Sequence, residues 1–362
     1  MTLRMASVAK QVRGETHIHT TELTLEKGTM NVLLGPTLAG KTSLMRLMAG
    51  LDRPATGRIL WEERDVTGVP VQQRQVAMVY QQFINYPSLS VFENIASPLR
   101  IQRAGAEEIR RRVRETADLL KLTEMLDRRP LELSGGQQQR TALARALVKD
   151  AGLVLLDEPL GNLDYKLREE LRAEIPRIFA ESGAIFVYAT TEPEEALLLG
   201  GNTATMSEGR ITQFGPTPEV YRRPADAMTA RVFSDPPMNF MGIEKRGDSV
   251  HLADGSTRPV PGEFAGLADG RYRAGFRPGH LGIGEAGGAA MAFAATVANV
   301  EITGSESFLH LDHEGQRWVA LTHGVHEPAL GGTVSVRLEP RHVYIFAEDG
   351  RLVTPAAYAA GL

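Results

Sequence analysis

Apolar and polar positions alternate through residues 4–34, in RMASVAKQV, a turn at Arg13-Gly14-Glu15, and THIHTTELTL, which predicts two strands. Four shorter apolar runs follow at wide intervals: Asn31 to Leu34, Gln75 to Tyr80, Leu153 to Leu156 and Ala184 to Ala189. Apolar runs of this length, separated by helical stretches, predict buried parallel strands of an α/β sheet. Lys41 to Ala49 carries Leu44, Leu47 and Met48 on one helical face and stops at Gly50. From about Val91 to Lys149 the period is helical. Ile109, Val113, Ala117 and Leu120 share one face there, opposite Arg110, Arg111, Arg112 and Arg114. Glu107, Glu108, Glu115 and Asp118 interleave with those arginines, so the basic run reads as a solvated helix face. A further helix places Leu167, Leu171, Ile175 and Ile178 on a buried stripe, and Pro176 within it is expected to kink or break it. After about Ser234 the texture changes to glycine punctuation and short alternating runs (SFLHLDH, QRWVALTH, TVSVRLEP, HVYIFAEDGRL), which predict a separate all-β domain.

At 362 residues the chain is long enough for two domains with their own cores. A net charge of −4 argues against nucleic acid as the main partner. With no cysteine, disulfides and thiolate zinc sites are excluded. The N-terminal MTLRMASVAKQVR lacks the apolar core of a signal peptide, and no run of about 18 apolar residues could span a bilayer. Any transport role therefore needs other chains to form the pore.

The chemistry gathers at the ends of the apolar runs. Gly35-Pro36-Thr37-Leu38-Ala39-Gly40-Lys41-Thr42 follows a strand, opens a helix and matches GxxxxGK[ST], the P-loop. Its backbone N–H groups, continuing to Ser43, would cradle phosphates; Lys41 would reach the β/γ oxygens and Thr42 would help hold Mg²⁺. Asp157-Glu158 ends the Leu153 run at the ligand edge of the sheet, where Asp157 is placed to hold Mg²⁺ and Glu158 to polarise a water. Leu133-Ser134-Gly135-Gly136-Gln137 combines two glycines with the start of a helix whose N-terminus would face an anion. His17 and His19 lie on one face of their strand, read as an exposed polar face in preference to a metal pair. His310, His313, His323 and His326 are likewise read as surface residues in preference to a metal site.

LSGGQ, LLDEP and the P-loop at these spacings resemble the ATPase subunits of ATP-binding cassette importers. VYQQFINYPSLSVFENIASPL resembles the Q-loop of the sugar-importer branch, and FSDPPMNFMGIEK, FRPGHL and VEITGSESFLHL resemble its C-terminal regulatory domain. The resemblance implies an α/β P-loop ATPase domain over 1–235, with a helical subdomain at about 88–150, and an OB-fold-like all-β regulatory domain over 236–362. It also implies ATP and Mg²⁺ as ligands, with Gln81 linking the metal and γ-phosphate to the helical lobe. Asp164 falls in the D-loop, which crosses to the other subunit. The signature residues Leu133 to Gln137 would complete the partner's ATP site. Expected partners are a second ATPase subunit, two membrane permease subunits and, indirectly, a solute-binding protein, at the cytoplasmic face of the inner membrane.

Four positions depart from the family pattern. Leu38 stands where a glycine is usual, and Gly161 where a serine is usual. Thr191 replaces a histidine that contacts the γ-phosphate, and no aromatic lies near Val12 to stack on adenine. GPTLAGKTSLMRLMAGLD and ATTEPEEALLLGG resemble most one ATPase of glycerol importers, which use two different ATPase subunits. That favours a heterodimer over a homodimer and glycerol, or a related polyol or its phosphate, as cargo. Two alternatives stand beside it: a weakly hydrolysing regulatory half, and an ATPase of this family unconnected with transport.

Overall fold

The computed structural model describes the whole chain except residues 83, 162–164, 253–254, 285–289 and 360–362. It divides into two compact units, Met1–Thr217 and Pro218–Leu362.

The first unit opens with β1 (Thr2–Val12), β2 (Glu15–Glu26), β3 (Met30–Leu34) and α1 (Lys41–Ala49). Next come β4 (Thr56–Trp61), β5 (Arg64–Asp65), β6 (Val76–Val79) and the helices α2 (Val91–Ile101), α3 (Ala106–Leu119) and α4 (Gly135–Leu147). It closes with β7 (Leu153–Asp157), α5 (Tyr165–Ser182), β8 (Ile185–Thr190), α6 (Pro193–Leu199), β9 (Asn202–Ser207) and β10 (Arg210–Pro216). β1 and β2 form a hairpin whose two-residue turn, Arg13-Gly14, has both residues at positive φ, the geometry that matches strand twist. They join β4 and β5 in an antiparallel sheet.

The central sheet runs β10-β9-β3-β8-β7-β6, parallel from β9 to β6. Every residue of β7 and β8 is buried, which is why both read as continuous apolar runs. α1 lies between the two sheets with Leu44, Met45, Leu47 and Met48 in the shared core. Because the strands are parallel, the chain segments leaving β3, β6, β7 and β8 emerge at one edge.

Two features bear on the sequence reading. α5 is one helix across Pro176. Losing an N–H and clashing with the preceding turn costs about 3 kcal/mol. Leu171, Ile175 and Phe179 are buried on that helix, and the Phe179 ring stacks on Phe186 at 3.9 Å, which offsets the loss. The side chains of Leu167 and Ile178 lie outside the described residues. Second, the units part at Thr217, ahead of the composition shift near 235.

The reason lies in α7 (Thr217–Arg222) and α8 (Ala227–Val232). Arg277, 6% exposed, donates to the carbonyls of Phe233 (2.6 Å) and Tyr221 (2.9 Å) and lies 3.8 Å over the Tyr221 ring. Ala227 and Ala230 pack in a cluster with Met238, Tyr344, Phe346 and Ala356. These helical residues are fastened to the β-rich unit by contacts that composition does not reveal.

The second unit continues with β11 (Asn239–Arg246), β12 (Ser249–Leu252), β13 (Thr257–Pro259), β14 (Gly270–Phe276), β15 (Leu281–Ile283) and β16 (Met291–Ile302). β17 (Glu306–His313), β18 (Gln316–His323), β19 (Thr333–Leu338), β20 (Tyr344–Phe346) and β21 (Leu352–Thr354) complete it. Two antiparallel sheets, β13-β12-β11-β14-β20-β21 and β15-β19-β16-β17-β18, bury one core around Trp318, whose ring meets Phe276 and Phe293 edge-on. Among the described residues no helix is long and apolar enough to cross a membrane.

Candidate functional site

The loop between β3 and α1 can close only because of its glycines. A Cβ on Gly35 would stand 2.4 Å from the Met206 carbonyl oxygen, and Gly40 sits at φ 100° with Ile18 2.9 Å from its missing Cβ. Gly40 is the N-cap of α1 and offers no side-chain cap, so the first N–H groups of this nine-residue helix point into the loop. Leu38 occupies the left-handed region at φ 69° and is 95% exposed. It keeps the conformation a glycine would take at a cost of about 1–2 kcal/mol.

Lys41 is 5% exposed and folds back over the loop, donating to the carbonyls of Gly35 (2.8 Å) and Pro36 (3.2 Å). Its Nζ lies 3.4 Å from Glu158 Oε1. Burial pushes the ammonium below its ordinary pKa, while Glu158 and Asp157 act the other way. Thr42 Oγ1 donates to Asp157 Oδ2 at 2.7 Å, joining residues from the start of α1 and the end of β7. Burial raises the Asp157 carboxyl, with the Thr42 bond opposing it and the Glu158 charge adding to it. Glu158 follows at φ 46°, its N–H bonded to the Ala189 carbonyl of the neighbouring strand. Gln81, just beyond β6, donates from Nε2 to Glu158 Oε2 at 2.9 Å.

A cleft of about 530 Å³ opens over these groups. Residues Thr37 to Ser43 with Gln81 and Glu158 form part of its wall, and Glu15, Thr16, His17, Glu208 and Gly209 form the rest. The sequence patterns did not point to those five. The Glu208-Gly209 turn reaches the site because Gly209 donates to Ala39 and accepts from His19, a tie visible only in the fold.

Thr191 lies exposed one residue past Thr190, whose carbonyl accepts from Gly35 N–H. Behind it a carboxylate network holds the turn into α6. Thr190 and Tyr188 donate to buried Glu195 at 2.6 and 3.0 Å, and Arg172 reaches Glu192 and Glu195 at 3.3 and 3.6 Å. Ser134 caps the N-terminus of the 13-residue α4, exchanging hydrogen bonds with Gln137, while Leu133 is buried. Gly135 is exposed, and a Cβ there would meet nothing within 4 Å. Asp164 lies outside the described residues. A second cleft, about 640 Å³, runs along β6 and includes Tyr86, Pro98, Ile101, Arg145 and Lys149 in its walls.

Strand, glycine-closed loop, buried lysine and a Thr–Asp pair of hard oxygen donors suit a magnesium-bound polyphosphate. They define a P-loop nucleoside triphosphatase. A family model described as ABC transporter matches residues 18–161, and one for the TOBE domain matches 274–346. The chain is 35% identical to the sn-glycerol-3-phosphate import ATP-binding protein UgpC of Chromobacterium violaceum, covering 99% of this chain and 98% of that one. It is 35% identical to the trehalose/maltose import ATP-binding protein MalK of Thermococcus litoralis (95% and 97% covered). Against the xylose/arabinose import ATP-binding protein XacK of Haloferax volcanii the figure is 37% (90% and 86% covered). Among solved structures, the ATP-binding cassette MJ0796, a post-hydrolysis dimer bound to ADP and Pi, matches with a TM-score of 0.54 at 26% identity. That match covers 59% of this chain and 98% of the cassette. The chain belongs to the ABC transporter family, as an ATPase subunit that couples ATP hydrolysis to import.

Proposed function

We propose that this chain energises uptake of a small polyol or sugar, glycerol or its phosphate first, through separate membrane subunits. The carrying observation is the interlocked set Lys41–Glu158–Gln81 and Thr42–Asp157, together with a signature helix whose capped end faces outward. Lys41 and the loop N–H groups bind the β/γ-phosphates; Thr42, Asp157 and Gln81 would hold a magnesium ion; Glu158 takes the proton of the attacking water. Magnesium, when bound, neutralises charge on the phosphate oxygens. Ser134 and Gly135 complete the site of a second ATPase subunit. The 640 Å³ cleft, partly apolar and lined by Tyr80 at the end of β6, takes a helix of the membrane subunit. The chain then sits peripherally at the cytoplasmic face of the membrane, and the all-β domain expected over 236–362, within the second unit, supports the dimer or receives a regulator. The cargo reading rests on the relatives' names and on the glycerol-importer resemblance.

Two features favour a slower site on this chain and a different ATPase as partner. Thr191 carries no charge toward the γ-phosphate, and Leu38 strains the loop. Mass spectrometry of the complex drawn from native membranes is expected to name two membrane subunits and a second ATPase. In the reconstituted complex, Thr191→His should raise turnover at this site by about 10²-fold, the scale of one transition-state donor. Full-rate transport by a homodimer of this chain would refute the heterodimer.

A further inference from the structure

We infer that buried Glu195 is a positioning residue for the reaction: through the Thr190 hydroxyl it sets the turn that presents Thr191 to the γ-phosphate. The inference rests on the reading above that Thr191 faces that phosphate. Glu195 is 4% exposed, so it reaches the chemistry only through the groups it holds. Thr190 Oγ1 donates its one proton to Glu195 Oε2 at 2.6 Å and accepts from the Glu192 N–H at 3.0 Å. An ionised carboxylate only accepts, so it takes the hydroxyl proton and leaves a Thr190 lone pair for Glu192. Thr191, exposed, lies between the two residues that this second bond joins.

The same turn is held from α5. Arg168 and Arg172 donate to the Glu192 carboxylate at 3.0 and 3.3 Å, and Arg172 also lies 3.6 Å from Glu195. Burial raises the Glu195 carboxyl; the Thr190 and Tyr188 bonds and Arg172 oppose this, and the Glu192 charge adds to it. The Thr190 carbonyl accepts from Gly35 N–H at 3.3 Å, which continues the pairing of β3 with β8 and needs no hydroxyl. Glu195 therefore governs the Thr191 turn, while the phosphate loop keeps its own support. Such a residue changes the rate of the chemical step and spares nucleotide binding.

The test is a double-mutant cycle on the reconstituted complex. It reads kcat and KM for ATP at this chain's site, with ADP affinity and melting temperature of the full chain alongside. Glu195→Gln keeps the shape and removes the charge; it should lower kcat about tenfold through misplacement of Thr191. KM and ADP affinity should stay within about twofold. Thr191→Ala should lower kcat about 10²-fold, the scale of one transition-state donor. Because Glu195 acts through Thr191, adding Glu195→Gln to Thr191→Ala should cost less than about twofold more. Tyr188→Phe removes the other donor to Glu195, spares the Thr190 bond and should leave kcat within about twofold of wild type. If Glu195→Gln does not fold, Thr190→Val removes the same bond and should show the same split between kcat and KM. Additive losses, a parallel loss of ADP affinity or an unchanged kcat in Glu195→Gln would overturn the inference. So would a Tyr188→Phe loss equal to that of Glu195→Gln, which would mark the whole network as core structure. An unchanged kcat in Thr191→Ala would show the γ-phosphate reading itself wrong, and this inference with it.

Discussion

The P-loop wall and the signature helix are both anion-facing helix starts, yet they are finished differently. At α1 the polar groups are closed on one another: Lys41 on Gly35, Pro36 and Glu158, Thr42 on Asp157, and Gln81 on Glu158. At α4, the side chains of Ser134 and Gln137 each accept from the other's backbone N–H, and a Cβ on Gly135 would meet nothing within 4 Å. On the reading proposed above, the first region is one half of a nucleotide site and the second would complete the site of another subunit.

That contrast can be broken at either end. Glu158→Gln should lower turnover of the assembled dimer by about 10²–10⁴-fold, as for a lost general base. ATP binding should persist in that variant, trapping a closed dimer that size-exclusion chromatography would detect. Dimer lifetimes equal to wild type would count against Glu158 as the base. Lys41→Ala should cost about 2–5 kcal/mol in ADP affinity at this chain's own loop, because it also leaves Glu158 without its cation. Unchanged affinity would sink the phosphate assignment.

Ser134→Arg is the sharper test of the half-site idea. It should leave ADP binding by the isolated chain intact while cutting turnover of the dimer about 10²-fold. An equal loss of this chain's own nucleotide affinity would show that α4 serves its own loop. Smallest of the four, Leu38→Gly relieves left-handed strain and adds chain entropy to the unfolded state, for a net gain of at most about 1 kcal/mol. ADP affinity should rise by no more than about fivefold. A fall would mean that the exposed leucine side chain itself touches the nucleotide.

Legibility along the chain followed the range of the interaction. α1 begins at Lys41 and stops at Gly50, as its apolar face and capping glycine indicate, since both signals lie within one helix. β7 and β8 match their apolar runs because burial on both faces leaves a mark on every residue. The hairpin turn at Arg13-Gly14 is equally local. Pro176 does not end its helix, because propensity counts a missing hydrogen bond and cannot count the Phe179–Phe186 stack. The division at Thr217 was hidden for the same reason, as Arg277 is far along the chain from the Tyr221 and Phe233 carbonyls it holds.

The chemistry on offer is legible in residue type and spacing: a loop with two obligatory glycines, a lysine, a threonine, paired carboxylates and a capped LSGGQ helix. Each depends on residue type at short spacing, where backbone geometry leaves few choices. Tertiary structure alone decided which of them meet. Thr42 finds Asp157 115 positions along the chain, and Gln81 finds Glu158 77 positions along, because parallel strands deliver their ends to one edge. It also decided that His17, one of several exposed polar strand residues by pattern, stands on the cleft wall. Strand alternation tells which side a residue faces, and only packing tells what lies there.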